Sequence, residues 1–229
     1  MNRSVLLPTA GVAAALSLAG TIVAMHAVQP ELDPATHFIS EYAYGQLGWL
    51  VQIAYVVAGA GVLGLAWSLG SATQGRWSKA SAASVLLVGL GLVATGLTRI
   101  DVIQSDGSVV STASGTAHEL AGYVVLLGLV LGAFLLSSAF CRDRRLSTVA
   151  PASRRFAWGL VAAFVVAVVS QGVGLAGVGQ RLFLGTWLWW LVFVGLHVRE
   201  LGRRTIAVGP SPHGSPPDTA RPSRPAGSS

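Results

Sequence analysis

Residues 118–140 read His-Glu-Leu-Ala-Gly-Tyr-Val-Val-Leu-Leu-Gly-Leu-Val-Leu-Gly-Ala-Phe-Leu-Leu-Ser-Ser-Ala-Phe. After Glu119 the stretch holds no charged side chain, and its apolar residues cover every face of a helix rather than one stripe. About 20 such residues at a rise of 1.5 Å cross the ~30 Å hydrocarbon core of a bilayer. Strands of a membrane barrel would instead alternate apolar and polar residues over segments of about 10, and no such alternation is present.

Working outward, runs of the same kind lie at 5–28, 47–70, 80–98, 156–178 and 182–198. The sequence therefore predicts an all-α, polytopic membrane protein, a six-helix transmembrane bundle over residues 1–200. Composition agrees: of 229 residues, 52% are hydrophobic and 10% charged, against about 25% charged in soluble domains. A soluble globular enzyme is excluded on that ground. Asn2-Arg3 ahead of the first run also fits a secretory signal peptide, but the run is longer than the roughly 7–15 residues of a signal core and is read as a span.

Charge placement predicts orientation. Thirteen of the 15 basic residues fall on one side of the predicted membrane, leaving only Arg99 and Arg181 on the other. Basic loops stay in the cytoplasm during insertion, so both termini are expected there, in a cell (inner or plasma) membrane. Six of the nine acidic residues, Glu31, Asp33, Glu41, Asp101, Asp106 and Glu119, lie on the opposite side. The net charge of +6 is thus a topology signal, and nucleic acid is not an expected partner. Residues 201–229, rich in Pro, Ser and Arg, read as a disordered cytoplasmic tail. The single cysteine, Cys141, rules out an intramolecular disulfide. Gly128-x-x-x-Gly132 and other small-residue groups allow close helix packing.

Chemistry is concentrated outside. Asp33-Pro34 is a good helix-capping pair and predicts a short helix there. On that helix His37, Ser40, Glu41 and Tyr44 would share one face. Asp101 closes span three, and His118 and Glu119 open span four. Two readings stand side by side. In one, Thr116-x-x-Glu119 is a capping box, Asp101 pairs with Arg99 or caps a turn, and the cluster is a structural network. In the other, His37, Asp101 and His118 hold a divalent metal such as zinc, with Glu41 as general base and Ser40 as a further catalytic candidate. Inside the spans the polar groups are mild, chiefly Gln52 and Gln171, which disfavours an ion-driven pump.

His37-x-x-Ser40-Glu41, Gly45 before the second span, Asp101 and His118 together resemble the domain-of-unknown-function 998 family of bacterial and archaeal membrane proteins. The resemblance covers about residues 5–198. Members often carry Asp after the serine, where this chain has Glu41. The resemblance implies six spans and an outward-facing polar site, and brings no activity with it. Three functions are compatible with the residues. The first is a non-enzymatic component that meets a lipid head group or a membrane partner protein. The second is a metal-dependent intramembrane hydrolase acting on lipid, and the third a passive or facilitated transporter lined by Gln52 and Gln171.

Overall fold

The computed structural model describes residues 2–102 and 108–207. Six α-helices follow one another: α1 (Arg3–Val28), α2 (Trp49–Ala72), α3 (Arg76–Leu97), α4 (Ala113–Arg142), α5 (Ala150–Gly172) and α6 (Ala176–Ala207). One 3-10 helix, Ile39–Tyr44, lies between α1 and α2. All six α-helices contain a window long and apolar enough to cross a membrane, and the chain is a multi-pass membrane protein. Helices are the expected form, because the bilayer core offers no water to a free backbone N–H or C=O.

The helices form a closed ring in chain order, α6 returning to pack on α1, and α2 touches α6 across the middle. Successive helices run in opposite directions, so both described chain ends share one end of the bundle, here the terminal end. The connections at 29–48, 98–112 and 173–175 lie at the other, distal end. Leu18, Met25, Leu136, Phe140, Trp187 and Trp190 are fully buried inside the ring. Leu16, Val23, Leu127, Val169 and Trp189 face outward, as lipid-facing residues do.

Two devices let apolar helices adhere without a hydrophobic driving force. The first is close approach. A Cβ on Gly96 of α3 would lie 2.6 Å from the Gln52 carbonyl oxygen and 2.7 Å from Val56 Cγ2 of α2, so this seam exists only with glycine there. The second is the sparing hydrogen bond: Gln52 Nε2 donates to the Gly96 carbonyl at 3.4 Å, and Ser84 Oγ donates to the Gly128 carbonyl of α4 at 2.7 Å. At the terminal end the Arg145 guanidinium, hydrogen-bonded to the Asp143 carboxylate, holds that carboxyl below its ordinary range. The same guanidinium donates to the Ala72 carbonyl at 2.9 Å, tying the α4–α5 connection to the end of α2.

Several boundaries differ from the sequence reading for identifiable reasons. Helix α4 begins at Ala113, five residues before 118, because Thr112 Oγ1 accepts the Gly115 N–H at 3.0 Å and caps it. Glu119 is therefore in the second turn, and the expected Thr116-x-x-Glu119 capping box does not form. Helix α5 stops at Gly172 rather than 178, since Gly174 turns the chain with φ +77°. Helix α6 accordingly starts six residues before 182 and takes Arg181 into its second turn. The tail expected from 201 begins later, because α6 runs on to Ala207; Asp106 and the residues from 208 onward lie outside the described residues.

Gly96→Ala should lower the thermal midpoint of the purified protein, by about 1–3 kcal/mol of overpacking. Gly20→Ala is its control, since an added Cβ there meets nothing within 4 Å. The control should leave the midpoint unchanged or raise it, alanine being the better helix former by up to ~1 kcal/mol. Equal behaviour of the two variants in a detergent melt would remove the close-packing account of this seam.

Candidate functional site

The distal end is organised by a cation. Arg181, half-buried on α6, donates from Nε to His26 Nε2 of α1 at 3.0 Å. Its NH1 donates to the His37 carbonyl at 2.8 Å and to Gly177 at 3.1 Å, and NH2 reaches Tyr42 Oη at 3.1 Å. The guanidinium also stacks over the Tyr42 ring, 5.7 Å from its centroid. His26 accepts this bond, so its Nε2 carries no proton and the ring is neutral. Among the described residues Arg181 has no carboxylate partner. Its charge is spread instead over neutral acceptors from α1, the α1–α2 connection and α6.

That connection is shaped by α6 more than by its own propensity. Asp33 Oδ1 does cap the Ala35 N–H at 2.9 Å, but only a turn follows. The Ala35 carbonyl instead accepts from the Val178 N–H at 3.1 Å, and the Ile39 N–H donates to Gln180 Oε1 at 2.6 Å. The expected helix from Asp33 is thereby replaced by the 3-10 helix starting at Ile39. His37 falls outside it and shares no helical face with Ser40 and Glu41. From the other side Gln29 Nε2 donates to the Tyr42 and Gln46 carbonyls at 2.9 and 2.8 Å. A Cβ on Gly45 would fall 2.0 Å from Gln29 Oε1, which accounts for a glycine at that position.

The candidate residues have separate employments. His37 Nδ1 lies 3.0 Å from Thr36 Oγ1 and 3.3 Å from the Asp33 carbonyl. Glu41 Oε1 accepts the Phe38 N–H at 2.8 Å and so caps the 3-10 helix. Asp101 is buried and does not pair with Arg99. Its Oδ1 accepts from the Thr112 N–H at 3.0 Å and the Thr112 hydroxyl at 2.6 Å, placing a carboxylate at the positive end of α4. A Cβ on Gly115 would overlap that carboxylate, at 2.0 Å. Arg99 lies over the Tyr44 ring, and the Tyr44 hydroxyl donates to the Ile100 carbonyl. His118 Nδ1 is 3.3 Å from the Thr98 carbonyl, to which it can only donate. Among the described residues no three His, Cys, Asp or Glu side chains are grouped so as to hold one metal ion. His37, Asp101 and His118 are thus not gathered into a ligand set of that kind.

What the structure does gather is a cavity of about 340 Å³. The contact of α2 with α6 divides the ring, and the cavity lies in the larger part, walled by α2, α3, α4, α5 and α6. The 3-10 helix contributes Ile39 and Ser40 to its distal wall. The distal rim also carries His118, Glu119, Gln171 and Gln180, whereas deeper walls are Leu92, Leu126, Leu129, Phe164, Phe183 and Trp187. Toward the terminal end the packed core continues with Leu69, Leu136, Phe140, Leu160, Trp190 and Val194. Gln171 stands at the rim, but Gln52 is on the α2–α3 seam and does not line the cavity. Sequence reasoning missed both the cavity and Arg181. The glycine-rich run 172–179 was the available signal that α6 begins early.

The family model described as "Protein of unknown function (DUF998)" matches residues 12–197. No curated protein and no solved structure matches the chain.

Arg181→Gln should lower stability by about 3 kcal/mol, the scale of losing charge-assisted hydrogen bonds at a half-buried position. Hydrogen exchange should rise selectively in residues 38–46. An unchanged exchange pattern there would show that the connection does not depend on the guanidinium.

Proposed function

This chain belongs to the DUF998 family, whose description assigns no function, and we propose that it is a non-enzymatic membrane component that binds an amphipathic, lipid-like ligand in the distal cavity. The observation that carries this reading is the graded wall: hydrogen-bonding groups at one rim and aromatic and aliphatic side chains below. Its volume of about 340 Å³ falls in the range of small-molecule sites, roughly 300–1,000 Å³. An apolar tail has its place among Leu126, Leu129, Phe164 and Phe183, and a polar head among His118, Gln171 and Gln180.

Charge narrows the ligand. Among the described residues Glu119 is the one carboxylate on the wall, and neither Arg nor Lys lines it. The donors of Arg181 that the structure shows bonded are turned to His26, His37, Gly177 and Tyr42. An uncharged or cationic head group is favoured over an anionic one. Basic residues crowd the terminal end, among them Arg142, Arg144, Arg145, Arg154 and Arg155. By the positive-inside rule that end is cytoplasmic, and the cavity opens toward the outer face of the plasma membrane. Hydrolysis at a His37–Asp101–His118 metal centre lacks comparable support, since each of these groups is engaged with a different partner. Passage across the membrane lacks it too, because the cavity ends where the packed core begins.

Gly122 lines the cavity, and a Cβ there meets nothing within 4 Å. Gly122→Phe should therefore occupy the space without disturbing the fold. Mass spectrometry of protein purified in mild detergent should find an amphiphile retained by the wild type and lost from Gly122→Phe, with equal melting temperatures after delipidation. Equal retention by both proteins would sink the proposal. For orientation, Cys141 is the only cysteine in the chain and is exposed at the terminal end. A membrane-impermeant maleimide should label it only after cells are permeabilised; labelling in intact cells would reverse the topology.

A further inference from the structure

The bundle has a consistent habit with its hydroxyls. Thr9, Ser68, Thr73, Thr95, Thr98 and Thr186 each donate to the carbonyl four residues back, and Ser81 and Ser84 donate to carbonyls of a neighbouring helix, so a buried hydroxyl is normally met by a protein carbonyl. Two residues of the cavity wall depart from this habit. Ser40 and Tyr55 are 5% and 8% exposed, and both line the cavity. Neither hydroxyl makes a hydrogen bond among the described residues. Neither oxygen is among the unpartnered polar atoms sealed inside the packing, as Ser153 Oγ and the Trp187 and Trp190 indole nitrogens are. Both are therefore open to the space they line.

Each departure has a local cause. Ser40 lies in the first turn of the 3-10 helix Ile39–Tyr44, with no helical turn before it to offer a carbonyl. A tyrosine hydroxyl, at the end of a rigid ring, cannot turn back to its own helix. Tyr55 lies one turn below Gln52, which meets Gly96, so it stands level with the outer turns of α3 rather than at the rim. A hydroxyl without a partner in an apolar wall is unfavourable, and a ligand oxygen at that height would relieve it.

We propose that the cavity takes a lipid bearing a carbonyl oxygen below its head, received by the Tyr55 hydroxyl, with Ser40 meeting a second oxygen nearer the rim. This rests on the amphiphile-binding reading and specifies its chemistry. A fatty-acyl ester and an isoprenoid-type quinone both present such a carbonyl next to a long apolar chain.

The test uses delipidated full-length protein in detergent and isothermal titration with three probes: a monoacylglycerol, its ether-linked analogue without the carbonyl, and a short-chain quinone. The wild type should bind at least one carbonyl probe more tightly than the ether analogue. Tyr55→Phe should weaken that probe roughly three- to tenfold, the scale of one net hydrogen bond, and leave the ether analogue unchanged. Its melting temperature without ligand should not fall, since no protein hydrogen bond is lost. Ser40→Ala should weaken carbonyl probes in the same selective way. Loss confined to the ester identifies a glycerolipid, and loss confined to the quinone identifies a quinone. If ester and ether bind alike, or if Tyr55→Phe weakens all probes equally or none, the carbonyl assignment is overturned while cavity binding stands. If no probe binds the wild type, cavity binding itself falls.

Discussion

One guanidinium holds the distal end together. Arg181 joins α1 through His26, the α1–α2 connection through His37 and Tyr42, and its own helix through Gly177. Removing a cation from water is costly unless its donors are met. Here they are met by a ring nitrogen, a phenol and two carbonyls rather than by a carboxylate. The arrangement fixes the 3-10 helix over the ring of helices, and with it the height of Ser40 above the cavity.

Much of the fold was legible in the sequence because it follows from one-dimensional quantities. Six apolar runs of membrane length became six helices, and their basic ends fell together. The errors came where a three-dimensional partner overrode a local signal. Asp33-Pro34 is a sound helix start, yet the Ala35 carbonyl is taken by Val178 from the far end of the chain, and the helix waits until Ile39. Thr116-x-x-Glu119 is a sound capping box, but Thr112 was an equally good cap one turn earlier. Hydropathy continued through the glycines after Gly172, so a turn was read as a span and Arg181 as a loop residue.

The candidate site was legible only in part. Ser40, His118 and Glu119 were picked out by residue type, and the structure brings them to one cavity. His37, Glu41 and Asp101 were picked out by the same criterion, and each serves the backbone: one near a turn, one capping the 3-10 helix, one at the start of α4. A sequence shows which groups can bind protons or metals but not which are already occupied. Tyr55 illustrates the reverse case. Nothing around it in the chain distinguishes it from an ordinary aromatic in a span, and its significance lies in a hydroxyl that finds no partner.

The reach of Arg181 also sets an order of events. Its contacts with Tyr42, His37 and His26 span 139, 144 and 155 residues of chain. During synthesis the first four helices enter the bilayer with the α1–α2 connection still lacking its anchor. Helices α5 and α6, joined by only residues 173–175, then arrive as a hairpin. The ring closes and the connection acquires its final shape in the same step, when the last helix delivers the arginine. A chain cut before α6 is therefore not five-sixths of this protein: it lacks one wall of the cavity and the anchor that holds the cover in place.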